Sequence, residues 1–483
     1  MVRKHLLFLI FLFIIIFSRI SFLSKEYAWE EPLVVNSVKN VVKYGFPYYY
    51  GGEQYNDKTI ISKGYPDNTN SVNLGKPPFF LFLISFPFKI FNLNFSELVF
   101  RAVLFGFQLI LFIFFYFFST KFFKSRFLAC LGVLIISLSP FMIQLSTQLA
   151  IDGTVLTLFL FLLYLFIDNI PAFFIIFFLN FGIRHETTLF FLISFITYFL
   201  IGKKFKKALL ILLTGLSSIA VYFIFFYFYT LRFDKTLFLV PTEIIRGVFN
   251  SFFYPKMTHL DNNLFSGGII LIKRFITWTS PFFIILYLIS LLIFSKKSLL
   301  WHIIILINFL TFFVIGWTGH FIPRYFAPVI PFMTLAIVDL LRESKKIIKI
   351  SVFFLILSLL IWQVKTNLNN SRKPYSFTSL YGNYGFRQAG EYLKNKLNKD
   401  DIVVTIDAIG YYYERKYYDW YETYSYPNRL KNFSHKFKDK NTNIVAVALP
   451  KQDMQSKETD FFEIDEKNYD KKVFGTIEIY IKK

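Results

Sequence analysis

The chain has 483 residues, of which 55% are hydrophobic and 67 are Phe, with a mean hydropathy of +0.49. A soluble globule of that size lacks the interior to hide so much apolar surface, which leaves a polytopic membrane protein. The formal net charge of +22 then reads as Lys and Arg flanking the cytoplasmic ends of spans, not as a nucleic-acid surface, and the single cysteine, Cys130, excludes an intrachain disulfide and a cysteine metal cluster.

In chain order, the start Met1-Val2-Arg3-Lys4-His5 leads into apolar residues to about Leu23 without a small-x-small cleavage site, and reads as an uncleaved first span. Eleven spans are expected, near residues 5–24, 98–118, 127–147, 153–167, 170–183, 187–201, 208–229, 280–294, 301–317, 324–341 and 347–364. The short loops with Arg3-Lys4, Lys121 through Arg126, Lys203-Lys204 with Lys206-Lys207, Lys296-Lys297, and Arg342 with Lys345-Lys346 all fall on one side, which is cytoplasmic by the positive-inside rule. The apolar run 78–92 cannot be a full span, because a crossing there would move the later basic loops outside. Its Pro77-Pro78 start and internal Pro87 fit an interfacial helix. Residues 25–97 and 230–279 are therefore outer loops on a transmembrane domain of residues 1–364.

The tail, residues 365–483, is polar and lies outside. Phe386 to Leu393 has the pattern of an amphipathic helix, and strands are expected at 401–406, 443–448 and 475–480. The fold class is thus an α-helical polytopic membrane protein with a small C-terminal extracytoplasmic α/β domain. Tyr411-Tyr412-Tyr413, Tyr417-Tyr418 and Trp420 stack on sugar rings, or pack in the core or at the membrane interface; the second reading is the weightier one.

Ionisable residues in or beside apolar segments carry the functional reading, because a charge at a membrane boundary is costly unless partnered or solvated. Glu30 and Glu31 follow the first span: one is a general base, or both are solvated loop acids. Glu26 is a weaker candidate. Lys76, stiffened by Pro77-Pro78, suits a lipid phosphate or is an ordinary surface lysine. Asp152 caps a helix at the outer end of a span, a role compatible with facing substrate. Arg184-His185-Glu186 is either a snorkelling turn or an anion site with Arg184 as its fork donor. Arg324 and Tyr325 open a late span, where Arg324 holds a phosphate or anchors the helix. His259, near Asp261, is a weak metal candidate, and a divalent metal stays an open option with no other cofactor expected. There is no glycine-rich nucleotide loop, no HExxH and no GxSxG.

The order of these motifs resembles the GT-C glycosyltransferases of the protein O-mannosyltransferase and aminoarabinose (lipid A) transferase type. Glu30-Glu31, then Gly45-Phe46-Pro47 after thirteen residues, resembles that family's first loop. Gly75-Lys76-Pro77-Pro78-Phe79 through Asn92, followed by Ser96 to Arg101, resembles its Lys-Pro-Pro loop, and Arg324-Tyr325-Phe326-Ala327-Pro328-Val329-Ile330-Pro331 its late-span signature. The likeness covers residues 1 to about 364 and, more loosely, the tail to about 425. It implies transfer of a sugar, with inversion, from a polyprenyl or dolichyl phosphate to a lipid, glycan or protein acceptor on the extracytoplasmic side of the plasma membrane. It further implies Glu30 as base, Asp152 as a second cavity acid, and Lys76 with Arg324 or Tyr325 on the lipid phosphate. The family's first loop usually carries Asp where Glu30 stands, and Gly75 stands where one branch has Glu. Two other classes fit many spans with few charges: a lipid-linked sugar flippase or transporter, and a polysaccharide polymerase or ligase. A lipid-linked donor needs no nucleotide site, in keeping with the missing glycine loops.

Overall fold

The structure, a computed structural model, describes residues 5–23, 25–28, 31–45, 78–147, 153–231, 264–317, 323–371, 384–415, 417–420, 444–451 and 467–483. The helices in chain order are α1 Leu6–Phe17, α2 Ile20–Leu23, α3 Glu31–Tyr44, α4 Phe79–Phe91, α5 Glu97–Phe123, α6 Arg126–Leu138, α7 Pro140–Thr147, α8 Thr154–Leu165 and α9 Ile170–Phe181. They continue as α10 His185–Ile201, α11 Phe205–Leu231, α12 Leu264–Thr279, α13 Pro281–Leu292, α14 Leu299–Trp317, α15 Ile330–Glu343, α16 Lys346–Ser371, α17 Phe386–Lys396 and α18 Asp407–Tyr413. A 3-10 helix, Pro323–Val329, precedes α15. Among the described residues five strands follow the helices: β1 Ile402–Thr405, β2 Tyr417–Asp419, β3 Ile444–Pro450, β4 Tyr469–Phe474 and β5 Ile477–Lys482. The chain divides into two compact units: Met1–Ile20, Leu74–Phe80 and Arg101–Leu368 form the first, and Ser21–Asn73, Leu81–Phe100 and Asn369–Lys483 form the second.

The first unit is a helical bundle. Side-chain caps start several of its helices: Ser125 Oγ accepts from Leu128 N–H at 3.3 Å, and Asn169 Oδ1 from Ala172 N–H at 3.2 Å. α12 packs on α14, α9 and α10 on α11, and α6 on α15. Among the described residues three helices are long and apolar enough to cross a membrane, within α5, α11 and α16, or up to five if each bent helix pair is one span. Shorter apolar helices of 10–17 residues include α1, α4, α8, α9 and α10.

Prolines explain where the structure departs from the simple span pattern. The expected span 127–147 is two helices bent by 69° at Ser139-Pro140, and α12 and α13 are bent by 106° at Ser280-Pro281. A proline cannot donate the hydrogen bond that would continue the preceding helix. Residues 264–279, expected to lie in an outer loop, form α12 in the helical unit. The expected span 324–341 begins instead with the 3-10 helix, in a stretch holding Pro323, Pro328 and Pro331.

Contacts gather the basic stretches at one end of this unit. Trp301 packs against Phe122 with ring centroids 4.8 Å apart and donates to Tyr164 Oη at 2.8 Å. Arg342 pairs with buried Asp339 at 2.6 Å and donates to Phe122 O at 3.4 Å, and Ser295 Oγ donates to Asp339 at 3.0 Å. Lys207 pairs with Asp168, four residues beyond Tyr164. His5, next to Arg3-Lys4 in the sequence, meets Tyr116 Oη at 2.9 Å.

The second unit joins α3, most of α4 and the first turn of α5 to the tail. Its sheet runs β2-β1-β3-β5-β4, with β1 parallel to both β2 and β3, and β5 antiparallel to β3 and β4. The expected helix and three expected strands are α17, β1, β3 and β5, so the α/β reading of the tail holds; α18, β2 and β4 were not expected.

Candidate functional site

The first anchor of the site lies at the start of α4. Phe79 N–H donates to Gly182 O at 3.0 Å. Its ring meets Phe178 at 5.1 Å and Tyr222 at 5.6 Å between centroids. The fit demands glycine at 182: a Cβ there would stand 2.1 Å from Phe79 Cδ2. Two residues beyond Gly182 the chain reaches Arg184, which precedes α10, and Arg184 Nε lies 3.5 Å from Glu186 Oε2. The structure thus seats the residue three positions after Lys76 on the turn that carries Arg184. Any phosphate on Arg184 competes with Glu186 for it. Lys76 itself lies outside the described residues.

The second anchor joins two other candidate segments. Thr154 Oγ1, in the first turn of α8, donates to Leu145 O on α7 at 2.9 Å. α7 and α8 both pack against the 3-10 helix that holds Arg324 and Tyr325. The backbone therefore brings the helix that follows Asp152 beside the segment with Arg324 and Tyr325. Asp152, Glu30 and His259 fall outside the described residues.

Glu31 belongs to the second unit. It is 5% exposed, and its Oε2 accepts from Ala28 N–H at 2.8 Å while its own N–H donates to Ala28 O at 3.0 Å, which closes the turn at the start of α3. Glu26, also buried, accepts the backbone N–H groups of Tyr384, Gly385 (2.9 Å) and Arg387 (2.8 Å). It is the anionic cap of α17, favoured by the helix dipole. Gly385 holds φ +96, and a Cβ there would meet Phe474 O at 2.2 Å.

A second network ties the same loop to the tail. Tyr412 Oη accepts from Tyr27 N–H at 2.7 Å and donates to Glu97 Oε1 at 2.9 Å, which also accepts from Arg387 at 2.8 Å. Lys39 Nζ donates to Tyr411 Oη at 3.1 Å, and burial lowers its pKa from 10.5 to about 8. Tyr412, Tyr413, Tyr417 and Trp420 are buried, so these aromatics pack in the domain core and offer no face to a sugar. Among the described residues no group of three His, Cys, Asp or Glu gathers that could hold a metal ion. Glu26 and Glu31 are already engaged by backbone N–H groups, which does not fit a metal site on this part of the loop.

Sequence reasoning passed over Arg19, Gln108, Gln363 and Asn367. For Arg19, Gln108 and Gln363 the signal was present: each is a polar residue within or at the edge of an apolar run, and all three are 0% exposed, whereas Asn367 lies in a polar stretch that singles out no residue. Lys39 and Glu97 were also passed over as partners of the tail, because a charge on a polar loop names no partner.

No family model and no curated protein matches the chain. Solved structures do. ArnT from Cupriavidus metallidurans bound to undecaprenyl phosphate superimposes with a TM-score of 0.62 at 10% identity, covering 99% of this chain and 98% of that one. The apo structure of the same protein gives a TM-score of 0.62 at 11% identity over the same shares. ArnT is an aminoarabinose lipid A transferase of the GT-C class, and at this identity the likeness is one of fold. Over almost the whole of its length, this chain has the fold seen in ArnT.

Proposed function

We propose that the chain is an integral membrane glycosyltransferase that moves a sugar from a polyprenyl phosphate to a lipid, glycan or protein acceptor on the extracytoplasmic side. The observation that carries this reading is the likeness along almost the whole of both chains to an ArnT structure bound to undecaprenyl phosphate. The two anchors above support it, since they tie the segments bearing Lys76, Arg184, Asp152 and Arg324 into one helical unit.

In the reaction, Glu30 takes the proton from the acceptor hydroxyl, and that oxygen attacks the anomeric carbon. The bond from that carbon to the phosphate oxygen breaks with inversion, and the electron pair leaves on the lipid phosphate. Lys76, with Arg324 or Tyr325, stabilises the charge that develops there. Asp152 orients the sugar or acceptor, and Arg184 lines the approach. No step runs through a metal.

The orientation belongs to the same proposal. Eleven spans place the N-terminus in the cytoplasm and the tail outside, and the gathering of basic stretches at one end of the helical unit supports this.

The test is transfer by the purified chain from undecaprenyl-phosphate-linked monosaccharides to membrane extract, read as release of undecaprenyl phosphate. Wild type releases it, and Glu30→Ala and Asp152→Ala do not although they are expressed and folded. Full release by both variants rejects the carboxylate roles. Binding of undecaprenyl phosphate with no release from any donor points to a flippase instead.

A further inference from the structure

The break between α6 and α7 is more completely satisfied than an incidental kink requires. A helix leaves its last four carbonyls without intrahelical partners, and in an apolar surround each needs one. Here every carbonyl from 134 to 138 has a donor. Ser137 Oγ donates to Leu134 O at 3.1 Å, and Ser139 N–H donates to Ile136 O at 3.2 Å. The other three donors come from elsewhere in the bundle. Gln363 Nε2 on α16 reaches Ile135 O at 3.2 Å, Asn367 Nδ2 reaches Leu138 O at 2.8 Å, and the Arg19 guanidinium holds Ser137 O. On the far side of the bend, Gln108 Nε2 on α5 donates to Met142 O at 2.7 Å, while Arg19 Nη2 donates to Gln108 Oε1 at 3.4 Å.

Three separate parts of the chain thus grip both sides of one bend. Arg19 is fully buried in an apolar unit, an expensive place for a cation. Its position at the C-terminal end of α6 sets that charge against the negative end of the helix dipole. The grip has a direction. The 69° bend decides where α7 points, α7 is fastened to the first turn of α8 by Thr154, and both pack on the Pro323–Val329 helix. These are the elements that flank Asp152 in the sequence and hold Arg324 and Tyr325.

We propose that Arg19, Gln108, Gln363 and Asn367 are positioning residues for the transfer site, fixing the bend at Ser139-Pro140 so that α7, the start of α8 and the Pro323–Val329 helix hold one arrangement. This rests on the glycosyl-transfer reading above. None of the four touches the reacting atoms. They act through backbone carbonyls, so their loss leaves donor binding in place and misaligns the chemistry.

The experiment uses the purified full chain with undecaprenyl-phosphate-linked monosaccharides as donors and membrane extract as the acceptor source. kcat and KM are read from release of undecaprenyl phosphate. Binding of undecaprenyl phosphate alone and thermal unfolding are measured beside them. Arg19→Met and Gln108→Leu lower kcat about 10- to 100-fold, the scale of a small misplacement of catalytic groups. Binding of undecaprenyl phosphate stays within about threefold of wild type. Arg19→Lys, which keeps the cation and a donor, recovers part of kcat, and the double variant is little worse than either single one. If Arg19→Met does not fold, Asn367→Leu, on a half-buried position, carries the same expectation. Folded variants with wild-type kcat, or with binding lost in step with kcat, overturn the inference while the transfer reading stands. A wild-type chain that releases nothing overturns the transfer reading and this inference with it.

Discussion

Phe79 and Gly182 are joined twice: by a backbone hydrogen bond of 3.0 Å, and by a ring that occupies the space where a Cβ of residue 182 would lie. The contact fixes the end of the Lys-Pro-Pro segment against the turn that leads to Arg184. Gly182→Ala must push the Phe79 ring aside, at an overpacking cost of about 1–3 kcal/mol. The expected outcome is a higher KM for the lipid-linked donor with a smaller change in kcat. Phe79→Leu in the Gly182→Ala background frees the space and restores part of the loss. Equal effects of Gly182→Ala with and without Phe79→Leu would show that the two residues are not coupled.

Glu26 tests whether the first outer loop and the tail fold as one domain. Its carboxylate accepts three backbone N–H groups at the start of α17, so Glu26→Ala leaves buried donors without a partner. The cost of such donors is about 1–3 kcal/mol. Glu26→Ala therefore makes the tail more susceptible to limited proteolysis, with new cleavage inside α17 or β1, and lowers the unfolding midpoint. Glu26→Gln keeps an acceptor and has a smaller effect. An unchanged proteolytic pattern in Glu26→Ala would separate the loop from the tail.

The tail was legible where its apolar patterning was strong. Val403 and Val404, Ala446 to Leu449, and Ile477, Ile479 and Ile481 are buried strand residues, and their runs announce β1, β3 and β5. β4 was not legible because Asp470, Lys471 and Lys472 are exposed on a strand that pairs with β5 alone. The bends at Pro140 and Pro281 were hidden because hydropathy runs unbroken across them, and only the missing proline N–H marks the change. For the site, the sequence singled out Arg184 and Arg324 by charge in apolar surroundings. It could not separate Glu31 and Glu26, which the structure shows as caps, from Glu30, the proposed base. All three are acids on one loop, and what tells Glu26 and Glu31 apart as caps is a hydrogen bond to a distant or local N–H.

Lys39 gives a pH dependence with a definite sign. Burial lowers its folded-state pKa to about 8, against 10.5 in the unfolded chain. Between these values the unfolded state binds a proton that the folded state does not, so stability rises with pH across that window. Burial raises the Tyr411 phenol beside it, which therefore stays protonated there. Unfolding of the wild-type chain followed from pH 7.5 to 10 by tail-specific proteolysis is expected to become harder by roughly tenfold or less per pH unit. Lys39→Met loses that slope. An equal slope in Lys39→Met would assign it to another group.

Lys76 and Glu30 are assigned opposite halves of one reaction, and kinetics can separate them. In the proposed reaction Lys76 holds the phosphate in both the bound donor and the departing lipid, so Lys76→Met is expected to raise donor KM by about tenfold, as for loss of a charge-assisted contact, and to lower kcat as well. As the proposed base Glu30 acts only when the acceptor proton moves, so Glu30→Gln is expected to lower kcat by about 10²–10⁴-fold and to leave binding of undecaprenyl phosphate unchanged. The pH profile discriminates further. In the wild type the rate falls on the acid side as the base is protonated, and Glu30→Gln flattens that limb while Lys76→Met keeps it. Glu30→Asp, which restores the residue usual in the family's first loop, retains the acid limb with a rate between those of wild type and Glu30→Gln. An acid limb that persists in Glu30→Gln would transfer the role of base to Asp152, where the same measurement on Asp152→Asn then decides it.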